Sequence, residues 1–80
     1  MYIVYILKSL KEPKRYYIGL TQDLKRRIQE HNSEQLGYSK RYSPWQLETY
    51  ITFRNKILSE KFEAYLKAGS GQAFLTKRLI

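Results

Sequence analysis

The stretches Tyr2-Ile3-Val4-Tyr5-Ile6-Leu7 and Tyr16-Tyr17-Ile18-Gly19-Leu20 flank a charged breaker, Lys11-Glu12-Pro13-Lys14. Both runs are rich in β-branched and aromatic residues, which fit a pleated, half-buried surface, and the proline and charges between them suit a turn. Together they predict an antiparallel hairpin. Side chains alternate along a strand, so Val4 and Ile6 share one face and Ile3, Tyr5 and Leu7 the other, where Tyr17 can meet Tyr5 across the pair.

Working outward, Thr21 and Asp23 supply a helix start, with a hydroxyl for the N-cap and a carboxylate in the first turn, and the helix is expected to run to about Ser33. Its stripe at i, i+3, i+4 and i+7 is Leu24, Arg27, Ile28 and His31, which puts an arginine and a histidine on or beside the packing face. Ser33 to Pro44 reads as a basic loop with one helical turn. Trp45 to Phe53 alternates as a third strand, with Trp45, Leu47, Thr49, Ile51 and Phe53 on one side. From Asn55 the period is helical, with Leu58, Phe62, Tyr65 and Leu66 on one face, Glu63 at its margin and Gly69 as the C-terminal cap. Ser70 then caps a last short helix whose Phe74, Leu75 and Leu79 close the core. The fold class is α/β: a small three-stranded antiparallel sheet flanked by helices in the order ββαβαα.

Eighty residues are expected to make one domain, spanning 1–80. No cysteine is present, so neither a disulfide nor a thiolate metal site supports the fold. The apolar N-terminal run is far short of the ~20 residues that span a bilayer, and no leader pattern precedes it, so a cytoplasmic location is expected. Fifteen Lys and Arg against seven Asp and Glu give a formal charge of +8. On so small a body that field favours a polyanionic partner, nucleic acid first. A membrane surface would need a basic helix with exposed apolar residues opposite, and no such helix is evident. Charge alone equally serves solubility.

Among candidates for chemistry, an arginine on a packing face needs a partner or a cleft that takes an anion, although a single arginine more often snorkels from the helix edge. His31 lies one turn from it; the bland reading is a packed histidine. Tyr5 and Tyr17 are by default core aromatics. A phenol of pKa about 10 is a poor base at pH 7 unless positive neighbours favour the phenolate, and Arg27 and His31 are the candidates for that. Glu63 is either paired with Lys67 at i+4 or a hard oxygen ligand for Mg²⁺.

Val4-Tyr5-Ile6-Leu7, Tyr17-Ile18-Gly19-Leu20-Thr21, Asp23-Leu24-Lys25-Arg26-Arg27, His31-Asn32 and Glu63 resemble, in order and spacing, the GIY-YIG endonuclease superfamily. The likeness covers essentially the whole chain and is greatest to the small stand-alone bacterial members related to the GIY-YIG nuclease domain of the ABC excinuclease. The resemblance implies metal-dependent cleavage of DNA, in repair or recombination, with Mg²⁺ or Mn²⁺ as cofactor. Tyr5 would be the general base, Tyr17 would orient water, phosphate or metal, and Arg27 would stabilise charge on the scissile phosphate. His31 would polarise the tyrosine and Glu63 would hold the cation. Lys8, Lys40, Arg41 and Lys67 are the expected DNA-backbone contacts.

The first motif keeps only its tyrosine, as Ile3-Val4-Tyr5, and an asparagine found near the end of some members has no match in Ala68-Gly69-Ser70-Gly71-Gln72. The alternative is a catalytically inactive basic module that grips nucleic acid. An exposed third strand would leave room for a homodimer.

Overall fold

The computed structural model describes residues 1–33 and 37–80, and its first two elements are the expected hairpin. Strand β1 (Tyr2–Ser9) pairs antiparallel with β2 (Tyr16–Thr21), Tyr5 opposite Gly19, Ile6 opposite Ile18 and Leu7 opposite Tyr17. Strand β3 (Trp45–Phe53) pairs with the other side of β1, giving the order β2-β1-β3. The central place of β1 explains its unbroken apolar run. Val4, Tyr5, Ile6 and Leu7 are all buried because both faces of the middle strand are covered.

Helices cover the two faces. Helices α1 (Leu24–Ser33) and α2 (Gly37–Tyr42) lie on the Tyr5 face, where Leu24, Ile28 and Tyr42 pack against Tyr5, Leu7 and Trp45. Helices α3 (Lys56–Leu66) and α4 (Gly69–Phe74), followed by a π-helical turn (Leu75–Leu79), cover the Val4 face, where Leu66 and Leu75 join Val4 and Ile6. Residues 34–36 of the expected loop lie outside the described residues; the rest of it supplies α2.

Four local expectations are corrected. Strand β3 does not present its five alternating residues to one side, because the register shifts between Ile6, opposite Thr49, and Leu7, opposite Leu47. This bulge leaves Glu48 as the extra residue and turns the strand over. Trp45 and Leu47 therefore pack on the Tyr5 face and Phe53 on the Val4 face. In α1 the cap is Asp23, whose Oδ1 accepts from the Arg26 N–H at 3.2 Å, while Thr21 Oγ1 accepts from the Asp23 N–H.

Helix α3 turns a different row inward: Ser59 and Leu66 are buried and Phe62 and Glu63 half-buried, whereas Leu58 is 54% exposed. The small Ser59, its hydroxyl donating to the Lys56 carbonyl at 2.6 Å, sits where a leucine was expected. Finally, α3 ends on Lys67 in a right-handed conformation, so Gly69 is no left-handed cap and Ser70 lies inside α4 behind an uncapped Ala68. The glycine that matters here is Gly71, where a Cβ would overlap the Tyr65 carbonyl. Its absence lets α4 lie against the end of α3, whose Leu66 carbonyl accepts from Gln72 Nε2 at 2.6 Å.

Candidate active site

The Tyr5 hydroxyl lies 2.9 Å from Nε2 of His31. Both residues are buried, Tyr5 because it is on the central strand and His31 because the last turn of α1 sits on the same face. Asn32 holds that turn in place: its side chain accepts from the Trp45 N–H and donates to the Trp45 carbonyl at 3.1 Å, as a neighbouring strand would. Tyr17 completes the cluster, its ring 4.4 Å from the His31 ring and 6.2 Å from that of Tyr5, with Trp45 edge-on behind both. Gly19 makes room for it. A Cβ at this position would overlap Cζ and the hydroxyl of Tyr5, so only glycine lets the phenol lie across β2.

The electrostatics correct one expectation. Burial, then Tyr17, pushes the Tyr5 phenol well above its ordinary value; Glu63 and Glu30 act in the same direction and Arg27 opposes them without prevailing. The resting group is thus a neutral phenol rather than a phenolate. His31 is pushed below its ordinary 6.5, by burial first and Arg27 second, against Glu30. A neutral imidazole with its proton on Nδ1 can accept at Nε2, and in that tautomer the pair is a phenol donating to an imidazole.

The other expected site residues are distributed around this pair. Arg27 does not lie on the packing face. It is exposed at the rim, 3.5 Å from Glu30 Oε1, in a cleft shared with Thr21, Asp23 and Arg26. Glu63 is half-buried and ion-paired with Lys67 at 3.2 Å. Helix α3 contacts β2 as well as β1, and Lys67 shares a small cleft with Tyr16, Tyr17 and Ile18, which brings this end of α3 to the β2 edge. Lys40 and Arg41 are exposed at the end of α2, beside Tyr42 on the Tyr5 face. Lys8 stands apart: it alternates onto the Val4 face, opposite Tyr16 and Gln46. A cavity lined in part by Lys14, Tyr16, Ile18, Gln72 and Leu75 is also on the Val4 side, away from the Tyr5–His31 pair.

Among the described residues no three His, Cys, Asp or Glu side chains converge as a metal cluster. Glu63 fits a cation of the Mg²⁺ type, which binds one or two protein carboxylates and fills its shell with water and substrate phosphate. Trp45 and Asn32 belong to the site but were not singled out by sequence. The adjacency of Asn32 to His31 was the available signal.

The family model of the GIY-YIG catalytic domain matches residues 1–77. The chain belongs to the GIY-YIG family. Among its relatives, the structure-specific endonuclease subunit SLX1 of Candida dubliniensis is 38% identical over 73 residues, 82% of this chain and 26% of that protein. The structure-specific endonuclease subunit slx1 of Talaromyces marneffei is 40% identical over 68 residues, 78% of this chain and 18% of its own length. The chain thus spans about a quarter or less of the curated relatives it matches. In fold it is similar to a UPF0213 protein of Bacillus halodurans solved by NMR, with a TM-score of 0.57 and 27% identity over 96% of this chain and 84% of that one. The GIY-YIG architecture of three antiparallel strands with helices is therefore established. No helix among the described residues is long and apolar enough to cross a membrane.

Proposed function

We propose that this GIY-YIG domain is a divalent-metal-dependent DNA endonuclease whose proton acceptor is the Tyr5–His31 pair. The observation that carries the reading is the buried 2.9 Å contact between the Tyr5 hydroxyl and a histidine kept neutral. A water attacking the scissile phosphorus gives its proton to the Tyr5 oxygen as the Tyr5 proton passes to His31 Nε2, which becomes an imidazolium. The new bond joins the water oxygen to phosphorus, and the bond that breaks joins phosphorus to a sugar oxygen, which leaves with the electron pair and takes a proton from solvent. Arg27, swinging from Glu30 at the rim, donates to the non-bridging oxygens as charge builds. Tyr17, its ring tilted against His31 and stacked on Tyr5, orients the pair and the incoming water. Glu63 would hold Mg²⁺ or Mn²⁺, which when bound supplies Lewis-acid stabilisation of phosphate charge.

The name of the fungal relatives, structure-specific endonuclease subunit, supports structured DNA as the substrate to test first; repair or recombination is the setting proposed with it. The match to most of the Bacillus halodurans chain supports the small bacterial type. The alternative, a basic module that only grips nucleic acid, is favoured by the Glu63–Lys67 ion pair, which occupies the carboxylate.

The two readings separate on plasmid and branched DNA with and without Mg²⁺. Glu63→Ala is expected to abolish metal-dependent cleavage, and Arg27→Ala to slow it by about 10²–10³, with DNA binding retained. Tight, salt-sensitive binding without cleavage by the wild type would favour the module. Equal cleavage by wild type and both variants would point to a contaminant and sink the mechanism.

A further inference from the structure

The hairpin turn and α2 are distant in sequence but are bonded together at one end of the sheet. The Ser9 hydroxyl donates to the Tyr42 carbonyl at 2.5 Å, and the Leu10 N–H to the Pro44 carbonyl at 2.9 Å. The turn is closed on itself, with the Glu12 N–H donating to Ser9 Oγ at 2.9 Å and the Arg15 N–H to the Glu12 carbonyl at 2.8 Å. Over this junction the guanidinium carbons of Arg15 and Arg41 lie 5.1 and 5.5 Å from the centroid of one ring, that of Tyr42.

Both arginines are exposed, and the ion pairs among the described residues fall on Arg26, Arg27 and Lys67, which leaves Arg15 and Arg41 without a carboxylate. Lys11, Lys14 and Lys40 are exposed on the same two segments. Two planar cations held against one aromatic ring repel each other. The ring quadrupole orients them but leaves their charge unneutralised, and their forked donors match phosphate oxygens.

The position of the pair indicates which phosphates. Both guanidinium groups lie over Tyr42, which packs against the Tyr5, Leu7 and Trp45 cluster, so they share the Tyr5 face. Gly19 lies opposite Tyr5 and is four residues beyond Arg15, which in strand is about 13 Å, roughly four nucleotides of duplex rise.

We propose that Arg15, Tyr42 and Arg41 form a clamp on the DNA sugar-phosphate backbone about four nucleotides from the scissile phosphate, with the hairpin turn as its arm. The clamp rests on the nuclease reading, since it needs DNA across the Tyr5 face. It reads no base edges, so it binds without regard to sequence.

The test is anisotropy titration of a short fluorescent DNA duplex, in chelator so that nothing is cut, over a series of salt concentrations. Arg15→Ala with Arg41→Ala is expected to make the slope of log K against log salt shallower by about 2, one unit per lost phosphate contact. Lys77→Ala with Arg78→Ala removes the same charge from the π-helical turn on the Val4 side and should leave the slope unchanged. Arg15→Lys with Arg41→Lys should restore most of it. An unaltered slope in the arginine double variant, or an equal drop in the Lys77/Arg78 variant, overturns the clamp. If the wild type still cleaves DNA in Mg²⁺, the clamp alone has failed; if it neither binds nor cleaves, the nuclease reading falls with it.

Discussion

Tyr5→Phe is expected to slow DNA cleavage by about 10²–10⁴ while leaving the fold intact. The substitution removes one oxygen and keeps the ring, so its packing beside Tyr17 and across Gly19 is preserved. What is lost is the proton path, which runs through the Tyr5 hydroxyl 2.9 Å from His31 Nε2. The stability cost should be modest, about 1–3 kcal/mol, for leaving the buried Nε2 without its donor. Circular dichroism melts checked against single-turnover cleavage would separate the two effects. A variant that still melts cooperatively, at a temperature lowered by that cost, but no longer cuts fits the account; one that cuts at the wild-type rate removes Tyr5 from the chemistry.

Gly19→Ala should damage both stability and turnover. The added methyl would occupy the space of the Tyr5 Cζ and hydroxyl, and that ring cannot retreat, since Tyr5 belongs to a central strand covered on both sides. Overpacking of this kind costs about 1–3 kcal/mol, and a reacting group displaced by about 1 Å loses about 10²-fold in rate. Gly69→Ala is the control, because nothing lies within 4 Å of a Cβ there and the site opens a helix. It should be neutral or stabilise by about 0.4–1 kcal/mol. Equal melting temperatures and rates for the two variants would refute the proposed role of Gly19.

The hairpin and the third strand were legible because period-2 alternation and turn residues are local signals, and Val4 to Leu7 announced a strand buried on both faces. Tyr5, Tyr17 and His31 could be brought together by the same alternation and one helical stripe. The β3 bulge could not be seen, because Trp45 to Phe53 alternates without a break and only pairing with β1 shows where the register slips. Nor could the inward row of α3. A stripe of large apolar residues pointed to Leu58, but the helix seats small Ser59 against the sheet and turns Leu58 outward. That rotation also moved Glu63 from the margin to the half-buried row. Arg27 is exposed for a related reason: Leu24, Ile28 and His31 suffice to pack α1, so the arginine stays at the rim beside Glu30. The protonation of Tyr5 could not be read from sequence, because burial, invisible there, outweighs the nearby guanidinium.

The relay from Tyr5 to His31 is tested most directly by single-turnover cleavage rates against pH for the wild type and His31→Gln. Glutamine can still accept from the Tyr5 hydroxyl but cannot take its proton. Because the relay needs neutral His31 and burial with Arg27 holds that histidine below 6.5, the wild-type rate should persist through pH 6.5 and fall only as pH drops through the lowered value. His31→Gln should lower the plateau by about 10²–10⁴ and erase that acid limb. The same limb at an undiminished plateau in His31→Gln would contradict the account.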